Sequence, residues 1–303
     1  MMTGKKFIVT SNYDGLPLQG IVCEPGVRPR GIVQLVHGMC EHKKRYVPLM
    51  RFLAANGYIV ACYDHRGHGE SAANEDDLGW FNDPNGEAVV EDCVQVTEYL
   101  KKEYPNLPVI LFGHSMGSMV VRCYLREHDD LIDKLIVCGS PARNPLAGIA
   151  VALASIIGLF KGQRHRSKLL HHLSIGKGGE DFAKAGKGSW LTHDEEVVKA
   201  YQEDPYCGFN FTVNGFKNLF KLMKRTYTKR GYQVKNPNLP ILFVSGGDDV
   251  VLGGEKNWDT VINFTRKVGY QKVVGKLYKD MRHEIHGDLC REEMFADLLR
   301  FIG

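Results

Sequence analysis

The sequence predicts an α/β domain built on a mostly parallel sheet. Short apolar runs alternate with longer segments of helical spacing along most of the 303 residues, a pattern typical of parallel strands covered by helices on both faces. One apolar run, Val109–Phe112, leads directly into Gly-x-Ser-x-Gly and a helix-like segment, the strand–turn–helix arrangement of a nucleophile elbow. The apolar fraction of 44 % is ordinary for a globular domain with a large core.

The first elements predict an antiparallel edge to this sheet. Residues 7–10 and 16–23 flank Asp14-Gly15, a dipeptide that favours a hairpin turn. Strands and helices then alternate, and apolar spacing and turn residues place them in chain order. We predict a strand at 31–36, a helix closed by Asn56-Gly57, a strand at 58–64, a helix at 87–103, the strand and helix around Ser115, strands at 134–139, 240–246 and 273–278, and a last helix at 289–301.

Residues 141–236 break the alternation. We predict that they form an inserted helical lid above the carboxyl edge of the sheet, where α/β proteins bind ligands, between core parts 1–140 and 237–303. Within the insertion, residues 146–160 are all apolar or small. As a helix they would reach roughly 22 Å, short of a bilayer core of about 30 Å. Two interpretations remain: a helix buried against the core, or the wall of a lid that covers an apolar pocket and touches a membrane.

Ser115, at the apex of the elbow, is the candidate nucleophile. A serine hydroxyl needs a base to take its proton and a carboxylate to orient that base. In proteins with this elbow the acid and then the histidine follow the serine, each after a later strand. Asp248 and Asp249 follow one such strand, and His283 and His286 follow the next. We predict Asp249 as the acid, with Asp248 bonding the turn, and His283 as the base; His286 is the alternative, and otherwise a surface residue.

Two backbone amides are expected to stabilise the charge that develops on a carbonyl oxygen attacked by Ser115. Such an oxyanion hole uses the N–H after the nucleophile, here that of Met116, and a second N–H from the loop after an earlier strand. That loop contains His37-Gly38-Met39-Cys40, and we predict Met39 N–H as the second donor. Cys40 has no base of its own and is expected to be a packing residue.

Three motifs carry a family resemblance. They are His37-Gly38-x-x-Glu41-His42-x-x-Arg45-Tyr46, Asp64-His65-Arg66-Gly67-His68-Gly69-Glu70-Ser71 and Gly113-His114-Ser115-Met116-Gly117. In this order they resemble the monoacylglycerol lipase and lysophospholipase branch of the α/β-hydrolases, within the wider serine-aminopeptidase-like hydrolases. The resemblance implies the α/β-hydrolase fold with a lid, hydrolysis of single-chain acyl esters through an acyl-enzyme, Asp249 as the acid, and no cofactor.

Three other functions are weighed against this one. A short-chain or aromatic carboxylesterase would use the same residues. An aminopeptidase would need carboxylates near the site to hold a substrate amine, and Asp194-Glu195-Glu196 could serve, although acids there are typical of the first turn of a helix. A catalytically silent protein that binds an acylated ligand would keep only the pocket. The ordered serine, acid and histidine argue against that last alternative.

Composition and motifs narrow the partners and cofactors. A net charge of +4 is too mild to indicate nucleic acid, and no phosphate-binding glycine motif occurs. His65-x-x-His68 has a ligand-like spacing but no third ligand cluster, so we predict no metal. Nothing in the sequence indicates an oligomeric state.

The eight cysteines and the first residues indicate the cellular compartment. The cysteines are scattered without a Cys-x-x-Cys pair, which favours reduced thiols, and no apolar signal core follows the first lysines. We therefore expect a cytoplasmic protein. The insertion also has a basic stretch, which supports the hypothesis of peripheral contact with anionic lipid; it comprises Lys161, Arg164, Arg166, Lys168, Lys177, Lys184 and Lys187.

Overall fold

The computed structural model describes residues 4–174 and 188–303. Eight strands form one sheet in the spatial order β1-β2-β4-β3-β5-β6-β7-β8. The strands are β1 Lys5–Thr10, β2 Pro17–Cys23, β3 Gly31–Val36, β4 Tyr58–Tyr63, β5 Val109–His114, β6 Lys134–Cys138, β7 Ile241–Gly246 and β8 Val273–Tyr278. Strand β2 is antiparallel to both neighbours, and all later pairs are parallel. The predicted hairpin and mostly parallel sheet are confirmed.

Helices connect the parallel strands, as the alternation predicted. The α-helices are α1 Val47–Ala55, α2 Ala88–Glu103, α3 Met116–Tyr124, α4 Ala147–Lys161, α5 Glu195–Glu203, α6 Val213–Thr226, α7 Glu255–Val268 and α8 Arg291–Ile302. A further helical segment is described from residue 168 to 174. Short 3₁₀ turns occur at Lys43–Tyr46, Gly69–Ser71, Glu75–Asp77 and Asp129–Leu131.

The core lies on both faces of the sheet. Every residue of β3, β4, β5 and β7 is buried, which is expected where helices cover a parallel sheet on both sides. Val89 of α2 and Val120 of α3 belong to the apolar cluster on one face. Leu53 of α1 and Leu298 of α8 belong to the cluster on the other. This rigid sheet fixes the loops that follow β3, β5, β7 and β8 at one edge, because parallel strands end on the same side.

Helix α4 is the apolar segment of the insertion, and its two faces differ. Its buried residues are alanines and a glycine that pack towards α6, namely Ala147, Ala150, Ala154 and Gly158. Three larger side chains, Val151, Leu153 and Ile157, are half-buried against the core. Others point outward, with Ile149 66 %, Leu159 79 % and Phe160 81 % exposed. The helix is therefore buried against the core along one face only, and the opposite face, with Ile149, Leu159 and Phe160, is exposed. In the parts of the chain that the structure describes, no helix combines the length and apolarity needed to cross a bilayer.

Candidate active site

Ser115 lies at the sharp turn between β5 and α3. Its backbone φ is 53°, a conformation that costs a non-glycine residue on the order of 1–3 kcal/mol and is concentrated at functional sites. The flanking glycines permit the close crossing of strand and helix. A Cβ on Gly113 would lie 2.4 Å from the Gly117 carbonyl oxygen, and one on Gly117 would lie 2.1 Å from the Val36 carbonyl oxygen. The predicted elbow is present, with the serine at its apex.

Asp249 and His283 are brought together from the loops after β7 and β8. His283 Nδ1 donates to Asp249 Oδ2 over 2.9 Å. The carboxylate is held further by Ser245 Oγ at 3.1 Å and by the Val251 N–H at 2.8 Å. Asp248, the adjacent aspartate, is exposed. The acid–histidine contact is therefore made by Asp249.

His286 is not the surface residue that the sequence suggested as its alternative role. Its side chain is buried, and its ring stacks on Tyr46 with 4.7 Å between centroids. It also contacts the ring of His114 edge-on, at 4.7 Å. A surface position was expected because a polar residue there precedes the last predicted helix, whereas the loop after β8 packs His286 against Tyr46 and against His114 at the end of β5.

The electrostatics of the Asp249–His283 pair favour an ionised acid beside a basic imidazole. Burial alone would raise the pKa of Asp249, but the neighbouring imidazole and the hydrogen bonds lower it below the usual range. Burial alone would lower the pKa of His283, but the Asp249 carboxylate raises it above its ordinary value. Within the described residues, His283 Nε2 is buried without a hydrogen-bond partner. Since Nδ1 is engaged, Nε2 is the ring atom left for proton transfer.

The loop after β3 also lines the site. Gly38, Met39 and Cys40 line one cavity together with Ser115, Met116 and His283. Gly38 N–H donates to Glu41 Oε1 over 2.5 Å. Cys40 N–H donates to His68 Nε2 over 3.3 Å. Both predicted amide donors, on Met39 and Met116, thus belong to residues at the cavity surface.

A buried ion pair joins this loop to the histidine loop, and sequence analysis assigned it no role. Arg45 Nη1 lies 2.6 Å from Glu41 Oε2, and the Arg45 guanidinium binds Glu284 through both of its carboxylate oxygens, at 2.6 and 2.5 Å. Burial would raise the pKa of Glu41, but Arg45 holds it well below the usual range. The sequence signal that could have revealed the Glu41–Arg45 contact is their spacing of four residues, which is typical of ion pairs on one helical face.

The cavity above Ser115 has a volume of about 600 Å³, within the range typical of small-molecule sites. Its walls come from the core and from the insertion. Apolar side chains form part of its lining, including Met119, Phe209, Leu219 and Met223. The Trp190 ring lies 5.0 Å from the His283 ring, so the insertion reaches the base itself.

The motif histidines bind the backbone. His65 Nε2 contacts the His37 carbonyl at 3.1 Å, and His68 Nδ1 contacts the Arg66 carbonyl at 3.0 Å. Burial lowers the pKa of His65 to about 3 and that of His68 to about 4. Among the described residues, two other sets have ligand atoms within 4.8 Å of one another and could hold a metal ion by distance; they are His114, Cys138 and His286, and His42, Asp204 and Cys207. In the second set His42 Nε2 is already paired with Asp204 Oδ2, at 2.8 Å.

The acidic run of the insertion caps a helix. The Asp194 side chain accepts hydrogen bonds from the N–H groups of Glu196 and Val197 at the start of α5. Asp194 is thus the N-cap, and Glu195 and Glu196 occupy the first turn that the sequence indicated, where carboxylates stabilise the helix. The Asp194 carboxylate therefore has a local structural role.

Comparison with known proteins decides the family. The model of the family described as "Serine aminopeptidase, S33" matches residues 27–289. The chain belongs to this family. Like other α/β-hydrolases, this S33 family member has a mostly parallel eight-stranded sheet with helices on both faces. The fold that the three motifs implied is confirmed.

Individual relatives of this S33 family member are similar over most of its length. The monoacylglycerol lipase of Mycolicibacterium smegmatis is 26 % identical over 93 % of this chain and 91 % of that protein. The monoglyceride lipase of Mus musculus is 28 % identical over 92 % of this chain and 83 % of its own. Among solved structures, a thermostable carboxyl esterase from Bacillus coagulans, in complex with glycerol, superposes with a TM-score of 0.88 at 27 % identity and covers 100 % of this chain and 98 % of that one.

Proposed function

We propose that the protein is a serine hydrolase that cleaves carboxylic esters of single-chain lipids, monoacylglycerols or lysophospholipids. One observation carries the proposal. His283, held by Asp249 at 2.9 Å through Nδ1, lines the same cavity as Ser115, which lies at its strained turn. Nucleophile, base and orienting acid are the three groups that acyl transfer to serine requires.

The reaction follows from these positions. Ser115 Oγ attacks the ester carbonyl carbon as its proton passes to His283 Nε2, and the oxyanion accepts hydrogen bonds from the Met39 and Met116 amides. His283 then gives the proton to the leaving alcohol as the ester bond breaks, which leaves Ser115 acylated. Water, deprotonated by His283, attacks the acyl-enzyme; His283 then returns the proton to Ser115 Oγ as the acyl bond breaks and the fatty acid is released. Asp249 stabilises the transient imidazolium throughout.

The cavity supports the choice of substrate. Its lining includes Met119, Phe209, Leu219 and Met223, whose apolar side chains suit an acyl chain, as well as the catalytic residues Ser115 and His283. Part of the wall comes from residues 141–236, so we propose that this insertion is a lid domain on a core formed by 1–140 and 237–303. The names of the two relatives, monoacylglycerol lipase and monoglyceride lipase, point to the same class of ester.

Rates on nitrophenyl esters of increasing chain length test the substrate class. Each buried methylene contributes about 0.8 kcal/mol, so kcat/KM is expected to rise by up to about fourfold per methylene until the cavity is filled. Hydrolysis of monoacylglycerol should follow the same preference. A maximum at two to four carbons would instead support a short-chain carboxylesterase. A variant, Met223→Trp, places a larger side chain in the cavity lining. It should reduce the rate of hydrolysis of long-chain esters and leave that of acetate esters unchanged.

We also propose that the exposed face of α4 makes peripheral contact with membrane. Ile149, Ile156, Leu159 and Phe160 are each more than half exposed and lie on the face of α4 away from its buried alanines. Exposed apolar side chains grouped on one face mark an interaction site. Of the basic stretch, Lys177, Lys184 and Lys187 lie outside the described residues. Arg164 pairs with Asp77 at 2.7 Å, whereas Lys161 and Lys168 are exposed at the end of α4 and just beyond it.

Sedimentation with lipid vesicles tests this contact. Burial of the Phe160 side chain in lipid would contribute about 1.5–3 kcal/mol to binding. Phe160→Ser is therefore expected to lower the partition coefficient of the protein between vesicles and water at least tenfold. Lys161→Gln should weaken binding to anionic vesicles only, by about 1 kcal/mol. Leu289→Ser is the matched control, because Leu289 is 68 % exposed but lies outside the insertion. Equal binding by Phe160→Ser and wild type would contradict the proposal.

A further inference from the structure

The His37 ring contacts the backbone through both of its nitrogens. His37 Nε2 accepts the His65 N–H over 3.0 Å, so this nitrogen must be unprotonated. Nδ1 then carries the ring proton and donates it to the Gly38 carbonyl over 2.8 Å. Burial lowers the pKa of His37 well below its ordinary value. The neutral tautomer with a proton on Nδ1 is therefore set by the surrounding backbone.

The contact with Gly38 fixes the orientation of a peptide group. The Gly38 carbonyl belongs to the planar Gly38–Met39 peptide, in which C=O and N–H point in opposite directions when the bond is trans. With the carbonyl turned towards the His37 ring, the Met39 N–H points away from that ring. Ser115 lies close to this peptide, because a Cβ on Gly38 would be 3.1 Å from Ser115 Cβ.

The neighbouring amides are already engaged. Gly38 N–H donates to Glu41 Oε1, and Cys40 N–H donates to His68 Nε2. His68 can accept because its Nδ1 donates to the Arg66 carbonyl. Of the three cavity-lining residues Gly38, Met39 and Cys40, two thus donate their amides to side chains, and the amide of Met39 is the one turned by His37.

We propose that His37 is a positioning residue for ester hydrolysis: its Nδ1–H holds the Gly38–Met39 peptide so that the Met39 N–H faces the oxyanion above Ser115. The inference rests on the proposed function, since it needs a tetrahedral intermediate at Ser115. It assigns the ring a role in the transition state and none in binding the acyl chain. His37 is fully buried and touches no substrate itself.

Two substitutions of His37 test the roles of its two ring nitrogens separately. Asn places an N–H donor near the position of Nδ1, whereas Gln extends towards the position of Nε2 and leaves the Gly38 carbonyl without its donor. We expect His37→Gln to lower kcat about 10- to 100-fold with KM nearly unchanged, because removal of one oxyanion donor costs about 10²–10³ in kcat. His37→Asn should retain kcat within a few-fold. Inhibition by a trifluoromethyl ketone, which forms the tetrahedral adduct, should weaken in parallel with kcat.

The outcomes are distinguishable. Equal losses in both variants, tracking their melting temperatures, would show that His37 only supports the fold and would overturn the proposal. Wild-type protein without esterase activity would overturn the proposed function first. A measurement on wild type needs no variant: on binding the trifluoromethyl ketone, the Met39 amide proton should move downfield in the NMR spectrum and the Cys40 amide proton should not. The reverse pattern would also overturn the assignment.

Discussion

Replacing Ser115 by alanine is expected to lower kcat for ester hydrolysis by about 10⁴- to 10⁶-fold. The substitution removes the only atom that forms the acyl bond in the proposed reaction, whereas the oxyanion amides and the cavity stay in place. Binding of a substrate analogue should therefore change little. The free energy of unfolding should also be nearly retained, since a φ of 53° strains the backbone of alanine and of serine alike. Steady-state kinetics on a nitrophenyl ester, with thermal unfolding measured in parallel, check both expectations.

Ser155→Ala is the matched control for this loss. Ser155 lies in α4 and donates to the Val151 carbonyl at 2.9 Å, so its removal tests the same chemical change away from the elbow. Its kcat should equal that of wild type. If Ser115→Ala kept more than about a tenth of the wild-type rate, another residue would have to be the nucleophile.

Asp249→Asn is expected to lower kcat by about 10⁴-fold, the size of effect seen when the acid of such a triad is made neutral. An amide N–H facing His283 Nδ1 favours the wrong tautomer, in which Nε2 carries the proton and cannot accept one from serine. Asp248→Asn is the control on the adjacent, exposed residue, and surface changes of this kind have small effects. A comparable loss in Asp248→Asn would contradict the assignment of the acid.

The same pair predicts the direction of a pH effect. His283 must be neutral to act as a base, and Asp249 raises its pKa, so kcat/KM should fall as pH drops through a value above the ordinary 6.5 of imidazole. Removing the negative charge in Asp249→Asn should move this acid limb to lower pH. An unchanged limb in the residual activity of the variant would mean that another group titrates there.

The elements that sequence predicted well have strong local signals. The strand, turn and helix around Ser115 were predictable because the steric demand of the turn selects glycines at fixed positions. Strand β8 has the predicted bounds. Strand β7 begins at Ile241, one residue after its predicted start. The order of acid and histidine followed from the same topology. In contrast, the choice between Asp248 and Asp249 depends on which of two adjacent side chains turns inward, and only the packed loop shows this.

Other features depend on contacts distant in sequence. The run that became α4 is apolar on all sides, so its pattern predicts a helix but not which face is buried. His286 is buried because the loop after β8 packs against Tyr46 and His114, from two other parts of the chain. The role inferred for His37 depends on the orientation of one peptide plane, which residue types alone do not specify.

Covalent labelling tests the central claim most directly. The intact protein is treated with a fluorophosphonate, digested, and mapped by tandem mass spectrometry. The account predicts one adduct per chain on Ser115, formed rapidly in wild type and absent from Ser115→Ala. Folded wild-type protein that resists the reagent, or carries the adduct on a different side chain, would contradict it.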